Sequence, residues 1–260
     1  MNRYCVPPRQ MWGEFMIEVV REAMQFKSFD GESIDAFLHR PPAGPAPGLI
    51  MIHEIFGINL PLREMAARYA SEGFAVLAID VFSRMERNLD LDYDDPGHAK
   101  GRAMHKAFDY ATGVKDMQAG ISFLRARPEC NGKVGVVGFC LGGTMSYLAA
   151  SRTDADAAVG YYGTRIHLFT AEGQGIAKPL ILHFGELDHT TPPELLQGQI
   201  LPAIAGNPNV QPFVYPGMVH AFANHRRPDT YDEAVTKVAD ARTFAHFRKW
   251  LAPLPHRVTA

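Results

Sequence analysis

The stretch "KVGVVGFCLGGTMSYLAASR", residues 133–152, decides the fold. Its first third is a short apolar run with the length of a buried strand, and "LGGTMSYLAASR" after it reads as a helix. Between them Gly138-Phe139-Cys140-Leu141-Gly142 sets a thiol at the corner where strand gives way to helix. A residue on so sharp a turn has a strained backbone, and only small neighbours let strand and helix approach this closely. The helix starting at Leu141 presents the positive end of its dipole, which favours a thiolate. Taken alone, the pattern fits a buried structural cysteine among packing glycines as well as it fits a nucleophile.

The pattern on either side is an alternation. "LIMIH" (49–53), "FAVLAID" (74–80), "AAVGYYG" (157–163), "PLILHFG" (179–185) and "VQPFVYPG" (210–217) read as strands. "LPLREMAARYASEG" (60–73), "VKDMQAGISFLRAR" (114–127), "PPELLQGQILPAIAG" (192–206) and "DTYDEAVTKVADARTFAHFRKWL" (229–251) read as helices. Leu62, Met65, Ala66 and Tyr69 share one face of the first of these, and Gly73 ends it. Two β-leaning runs, 24–29 and 33–40, come earlier with Asp30-Gly31 as their turn. Residues 83–112 are polar, acidic and weakly patterned, and read as an excursion over the sheet. Strands alternating with helices of this length imply parallel crossovers and a mostly parallel sheet covered on both faces. The expectation is one α/β domain over residues 21–260, with residues 1–20 as an N-terminal extension.

Bulk properties exclude several classes. The 260 residues carry a net charge of -2 and no basic block, which speaks against a nucleic-acid surface. Apolar runs fall far short of the roughly 18 to 20 residues that span a bilayer. The start, "MNRYCVPPRQMWGEF", lacks the layout of a signal peptide. The cysteines, Cys5, Cys130 and Cys140, are odd in number and form no C-x-x-C, so reduced thiols in a cytoplasmic protein are expected. Nothing in the sequence bears on oligomeric state.

Chemistry enters with the order of the residues beyond the corner. "GELDHTTPP" puts Asp188 just after one strand, and "GMVHAF" puts His220 just after the next. Each has a bland reading, Asp188 as a turn or capping residue and His220 as a satisfied loop histidine. Parallel strands, however, present their C-terminal ends along one edge, where the residues just past them converge. Nucleophile, acid and histidine in that order is the order of α/β-hydrolases. In that architecture the loop after the first parallel strand, here "HEIFG" (53–57), supplies one oxyanion-hole N–H and the residue after the nucleophile supplies the other. Those donors are Ile55 and Leu141. Glu54 adds a carboxylate near Cys140.

"HEIFG", "GFCLGG", "GYYG", "LDH" and "GMVHAF", in this order and spacing, resemble the dienelactone hydrolase family over roughly residue 24 to the C-terminus. The resemblance implies an α/β-hydrolase fold, with neither metal nor cofactor, that opens an unsaturated lactone through a thioester. It implies Cys140 as nucleophile, His220 as base, Asp188 as its orienting partner, and Glu54 as the group that takes the thiol proton when substrate binds. The family grips its substrate carboxylate with two arginines. "DVFSR" puts Arg84 at one of these positions, but the other, four residues after His220, is Asn224, with Arg226 and Arg227 nearby in sequence. Tyr161 and Tyr162 match the family's "YYG", and one of them, assigned as Tyr161, lines the pocket. The expected partner is a small lactone or ester, with no nucleic acid and no membrane.

Other chemistries fit poorly. A Cys-x5-Arg phosphatase loop needs arginine where Ser146 stands, the glycines lack a P-loop lysine, and His53-Glu54 lacks the second histidine of a zincin. His183, Asp188 and His189 as metal ligands are better explained by the triad loop. A broader thiol carboxylesterase is the alternative within the enzyme class. Outside it stand a non-catalytic α/β-hydrolase binding module and a redox sensor at Cys140.

Overall fold

A computed structural model describes residues 19–252, so the reading of Cys5 and of residues 1–18 lies outside the described residues. An eight-stranded sheet runs in the order β1-β2-β4-β3-β5-β6-β7-β8. β1 (Val20–Lys27) and β2 (Ser33–Arg40) form the expected hairpin, with Gly31 at positive φ, and β2 pairs antiparallel with β4 (Ala75–Ile79). The remaining pairs, through β3 (Ala46–Ile52), β5 (Cys130–Phe139), β6 (Ala157–Tyr161), β7 (Leu180–Gly185) and β8 (Val210–Tyr215), are parallel. The chain leaves β3 to build β4 on one side of it and returns to build β5 on the other. The switch point of the sheet therefore lies between the C-terminal ends of β3 and β5, where open α/β sheets hold their ligands.

Helices cover both faces. In neighbouring rows of the sheet, Gly48 faces Leu124 of α3 (Tyr110–Arg125), while Gly135 faces Phe247 of α7 (Glu233–Trp250). Because adjacent residues of a strand point to opposite faces, α3 and α7 sit on opposite sides. α1 (Leu60–Ser71) joins α7 through the Tyr69–Phe244 ring contact and the Arg68–Asp240 ion pair. α4 (Leu141–Arg152) joins α3, with Met145 against Gly113. The segment expected as one helix over 192–206 is α5 (Pro193–Leu195) and α6 (Leu201–Ile204) joined by a π turn, Leu196–Ile200. Among the described residues no helix is long and apolar enough to cross a membrane.

The excursion over residues 83–112 needs correction, because it contains a full helix, α2 (Asp95–Ala107). Asp94 caps it by accepting from Gly97 N, and a proline sits in its first turn. Its buried residues are Gly97, Gly101 and His105. A face of glycine and histidine gives no apolar period, which hides the helix from a hydrophobicity reading. The glycines are there for approach: a side-chain carbon at Gly101 would meet Ile55 O, so α2 lies directly on the loop after β3.

Candidate active site

Five neighbouring parallel strands end at one rim, and the residues just beyond them meet there. Cys140 follows β5 at φ 57° and ψ -110°, a backbone that L residues rarely adopt. Its N–H bonds to Tyr161 O at 3.0 Å and its carbonyl accepts from Gly143 N at 3.0 Å, so the corner is held from both sides. A side-chain carbon on Gly138 would strike the backbone of Gly142, and one on Gly142 would strike Ile52 O. The glycines flanking the cysteine are thus required by the closeness of strand and helix. Cys140 is 6% exposed.

His220, in the turn after β8, directs Nδ1 to Asp188 Oδ2 at 2.7 Å. Asp188 Oδ1 accepts from the backbone N–H and the hydroxyl of Thr190, at 2.8 and 2.7 Å, and that hydroxyl oxygen lies 3.0 Å from Nδ1. Burial favours a protonated Asp188, but these hydrogen bonds outweigh it and hold the carboxyl below its ordinary range. Burial likewise disfavours a charged His220. Its coupling to Cys140, followed by the Asp188 hydrogen bond, overcomes this and raises the imidazole to about 10. The thiol is thus among the groups that act on the ring.

Glu54 follows β3 and is 8% exposed. Burial pushes its carboxyl up, against the opposing pull of His220, Arg227 and Asn224. Asn224 Nδ2 donates to Glu54 Oε2 at 3.1 Å and to Tyr93 Oη at 2.8 Å. Among the described residues Glu54 Oε1 and the Tyr162 hydroxyl, both buried, make no well-formed hydrogen bond, although the two groups act on each other electrostatically. A small cavity opens beside Glu54, walled by Asn59, Leu62, Tyr93, Phe139 and Asn224. Another cavity, of about 370 Å³, lies between β8 and α7, lined by Phe213, Arg242, His246 and Trp250, and Cys140 is not in its lining.

Three expected substrate contacts are revised. Arg84 closes on Asp116, with Nε and Nη2 each at 2.7 Å, and on Asp30, with Nη1 and Nη2 at 2.8 Å, leaving no free edge for a substrate carboxylate. Tyr161 points under α7, its hydroxyl 3.0 Å from Asp240 Oδ1 and 2.7 Å from Thr243 Oγ1. Tyr162 is the tyrosine at the site, its ring centroid 5.0 Å from that of His220. Asn224 does face the site, but both amide bonds go to protein groups. Arg226 pairs outward with Glu64, whereas Arg227 lies over the Tyr93 ring at 5.7 Å with only a loose 3.7 Å contact to Asp229. Thr190 and Tyr93 have no motif of their own in the sequence, and only the fold brings them in; of the two arginines noted beside Asn224, Arg227 is the one near the site.

Comparisons with known proteins agree with this frame. The model of the dienelactone hydrolase family matches residues 34–251. A carboxymethylenebutenolidase of Pseudomonas putida is 32% identical over 239 residues, covering 91% of this chain and 98% of that protein. Carboxymethylenebutenolidase 1 of Cupriavidus pinatubonensis is 34% identical over 227 residues, covering 86% and 95%. Among solved structures, a putative dienelactone hydrolase from Klebsiella pneumoniae superposes with a TM-score of 0.77 at 24% identity, covering 91% of this chain and 100% of that one. With its mostly parallel sheet, its strained corner and these relatives, the chain belongs to the dienelactone hydrolase family and is a hydrolase of carboxylic esters or lactones.

Proposed function

We propose that this hydrolase opens an unsaturated, carboxylate-bearing lactone through a thioester on Cys140. The observation that carries the reading is His220, bonded at 2.7 Å to Asp188 on one side and charge-coupled to the Cys140 sulfur on the other. The thiolate of Cys140 attacks the lactone carbonyl, and the N–H groups of Ile55 and Leu141 receive the developing oxyanion. No acceptor takes the Ile55 N–H among the described residues, and the Leu141 N–H belongs to a helix first turn, where such groups are free. Collapse breaks the ring C–O bond, and the departing enolate oxygen takes the proton of imidazolium His220. The acylated sulfur no longer carries the charge that raised His220, so the imidazole returns toward its ordinary range. It can then take a proton from water, whose oxygen attacks the thioester and expels the thiolate.

Glu54 fits the role of proton acceptor for the resting thiol. Its burial raises its affinity for a proton, and substrate binding at Cys140 is the event that moves it. If an ionised Glu54 restrains the thiolate at rest, Glu54→Gln should raise the rate of Cys140 alkylation by iodoacetamide without substrate by about tenfold. An unchanged or slower rate removes Glu54 from this role.

The lactone acid named in carboxymethylenebutenolidase suggests an anionic substrate here, and Arg227 is the cation beside Glu54 and Tyr93 best disposed to meet it. Arg227→Ala is expected to raise KM for dienelactone about tenfold, the equivalent of about 1.4 kcal/mol, and to leave KM for p-nitrophenyl acetate unchanged. The closure of Arg84 on two aspartates favours a second reading, a broader thiol esterase. Kinetics on both compounds separate them: a lactone preference that falls with Arg227→Ala supports the first, and equal turnover indifferent to that substitution supports the second. Failure to hydrolyse either ends both.

A further inference from the structure

His53 directly follows β3, just before Glu54, and is fully buried. Its Nε2 lies 3.2 Å from Val81 N, a backbone donor with no freedom to turn elsewhere. That bond makes Nε2 the acceptor, with Asp80 Oδ1 at 3.4 Å from the same atom and itself accepting from Phe82 N at 2.9 Å. The ring proton is therefore on Nδ1, and it is donated to the carbonyl oxygen of Glu54. The imidazole is further fixed by the Phe82 ring, centroids 5.0 Å apart.

The carbonyl that receives this proton belongs to the same peptide unit as the Ile55 N–H. In a trans peptide, C=O and N–H point in opposite directions across one rigid plane. Fixing the Glu54 oxygen against His53 therefore fixes where the Ile55 N–H aims. Other contacts hold the loop, but further along: Leu91 N to Phe56 O at 3.0 Å, the Gly57–Asp90 bridge, and Gly101 of α2 beneath Ile55 O. Among the described residues the His53 ring is the only hydrogen-bond donor to Glu54 O.

We propose that His53 is a positioning residue, which clamps the Glu54–Ile55 peptide so that the Ile55 N–H meets the oxyanion formed at Cys140. The proposal rests on the reading of Ile55 as an oxyanion donor. A well-aimed donor of this kind is worth about 100- to 1,000-fold in rate, and its partial misalignment forfeits a fraction of that.

The test uses purified full chains carrying His53→Leu, His53→Gln and His53→Asn. The Asn amide can place a donor near the site of Nδ1, whereas the longer Gln places its polar atoms near the site of Nε2. Expected for the Leu and Gln variants is a fall in kcat of about 30-fold, with KM within about twofold of wild type and affinity for a trifluoromethyl ketone reduced by the same factor. Alkylation of Cys140 by iodoacetamide, which forms no oxyanion, should stay at the wild-type rate, and His53→Asn should recover most of kcat. A Leu variant within threefold of wild type in kcat overturns the proposal. So does alkylation that falls in step with kcat, since that reports general damage to the site. If the Leu chain does not fold, the Asn and Gln variants decide, and equal kcat in the two counts against the clamp. Cys140→Ala retaining full turnover would instead remove the parent reading, and this inference with it.

Discussion

Replacing Cys140 with alanine is expected to lower kcat/KM for lactone and aryl ester alike by at least about 10⁴-fold, the scale seen when a covalent nucleophile is removed. In wild type, rapid quenching with an aryl ester should trap one acyl group on the peptide containing Cys140, and in the variant none. Turnover that survives in Cys140→Ala, or an acyl group found elsewhere, rules out the thioester route. The same position carries a stability prediction of opposite sign. At φ 57° and ψ -110° a residue with a Cβ is strained, at a typical cost of about 1–3 kcal/mol. Alanine keeps the Cβ, while glycine relieves the strain at an entropic cost of about 0.5–1 kcal/mol. Cys140→Gly should therefore melt above Cys140→Ala, by about 2–4 °C if the net difference is near 1 kcal/mol. At an ordinary site the order is reversed. An Ala variant that melts higher would show that the corner holds no strain.

The contrast between Cys140 and Arg84 shows what a sequence can carry. The corner is legible because its demands are local. Gly138, Gly142 and the thiol between them are adjacent in the chain, and the overlap that forbids larger residues is between elements joined at that point. Asp188 and His220 are legible because each comes directly after a strand, and parallel strands put their ends at one rim. Arg84 is a different case. Its fate depends on Asp30 in the β1–β2 turn and Asp116 in α3, residues that no spacing rule connects to it. The tyrosine pair fails for another reason. Strand alternation sends Tyr161 and Tyr162 to different surroundings, but which of them meets the site is set by the turn at Tyr162, φ 40°, just past the end of β6. Thr190 is hidden because a hydroxyl beside an aspartate is common at any loop. Helix α2 is hidden because its buried face is built from glycine and histidine.

Asp188→Asn is the second large effect, with kcat expected to fall about 10⁴-fold while the fold persists. The carboxylate accepts from His220 Nδ1 through one oxygen and from Thr190 through the other, so in wild type the imidazole can only present Nδ1–H to Asp188 and Nε2 to the sulfur. An amide fills the same space but keeps a single acceptor. If that oxygen stays with the two Thr190 donors, the NH₂ faces Nδ1 and selects the wrong tautomer. Stability should respond in a defined pH window. His220 binds its proton more tightly folded, at about 10, than at its ordinary 6.5, so its contribution is complete below pH 6.5 and is lost as pH rises towards 10. Without Asp188 the folded value drops, because one of the two main influences raising it is gone. Denaturant unfolding measured from pH 6.5 to 10 should accordingly show a decline in wild type and a shallower one in Asp188→Asn. Equal slopes in the two proteins would mean that Asp188 does not hold the His220 proton, whatever its distance from the ring.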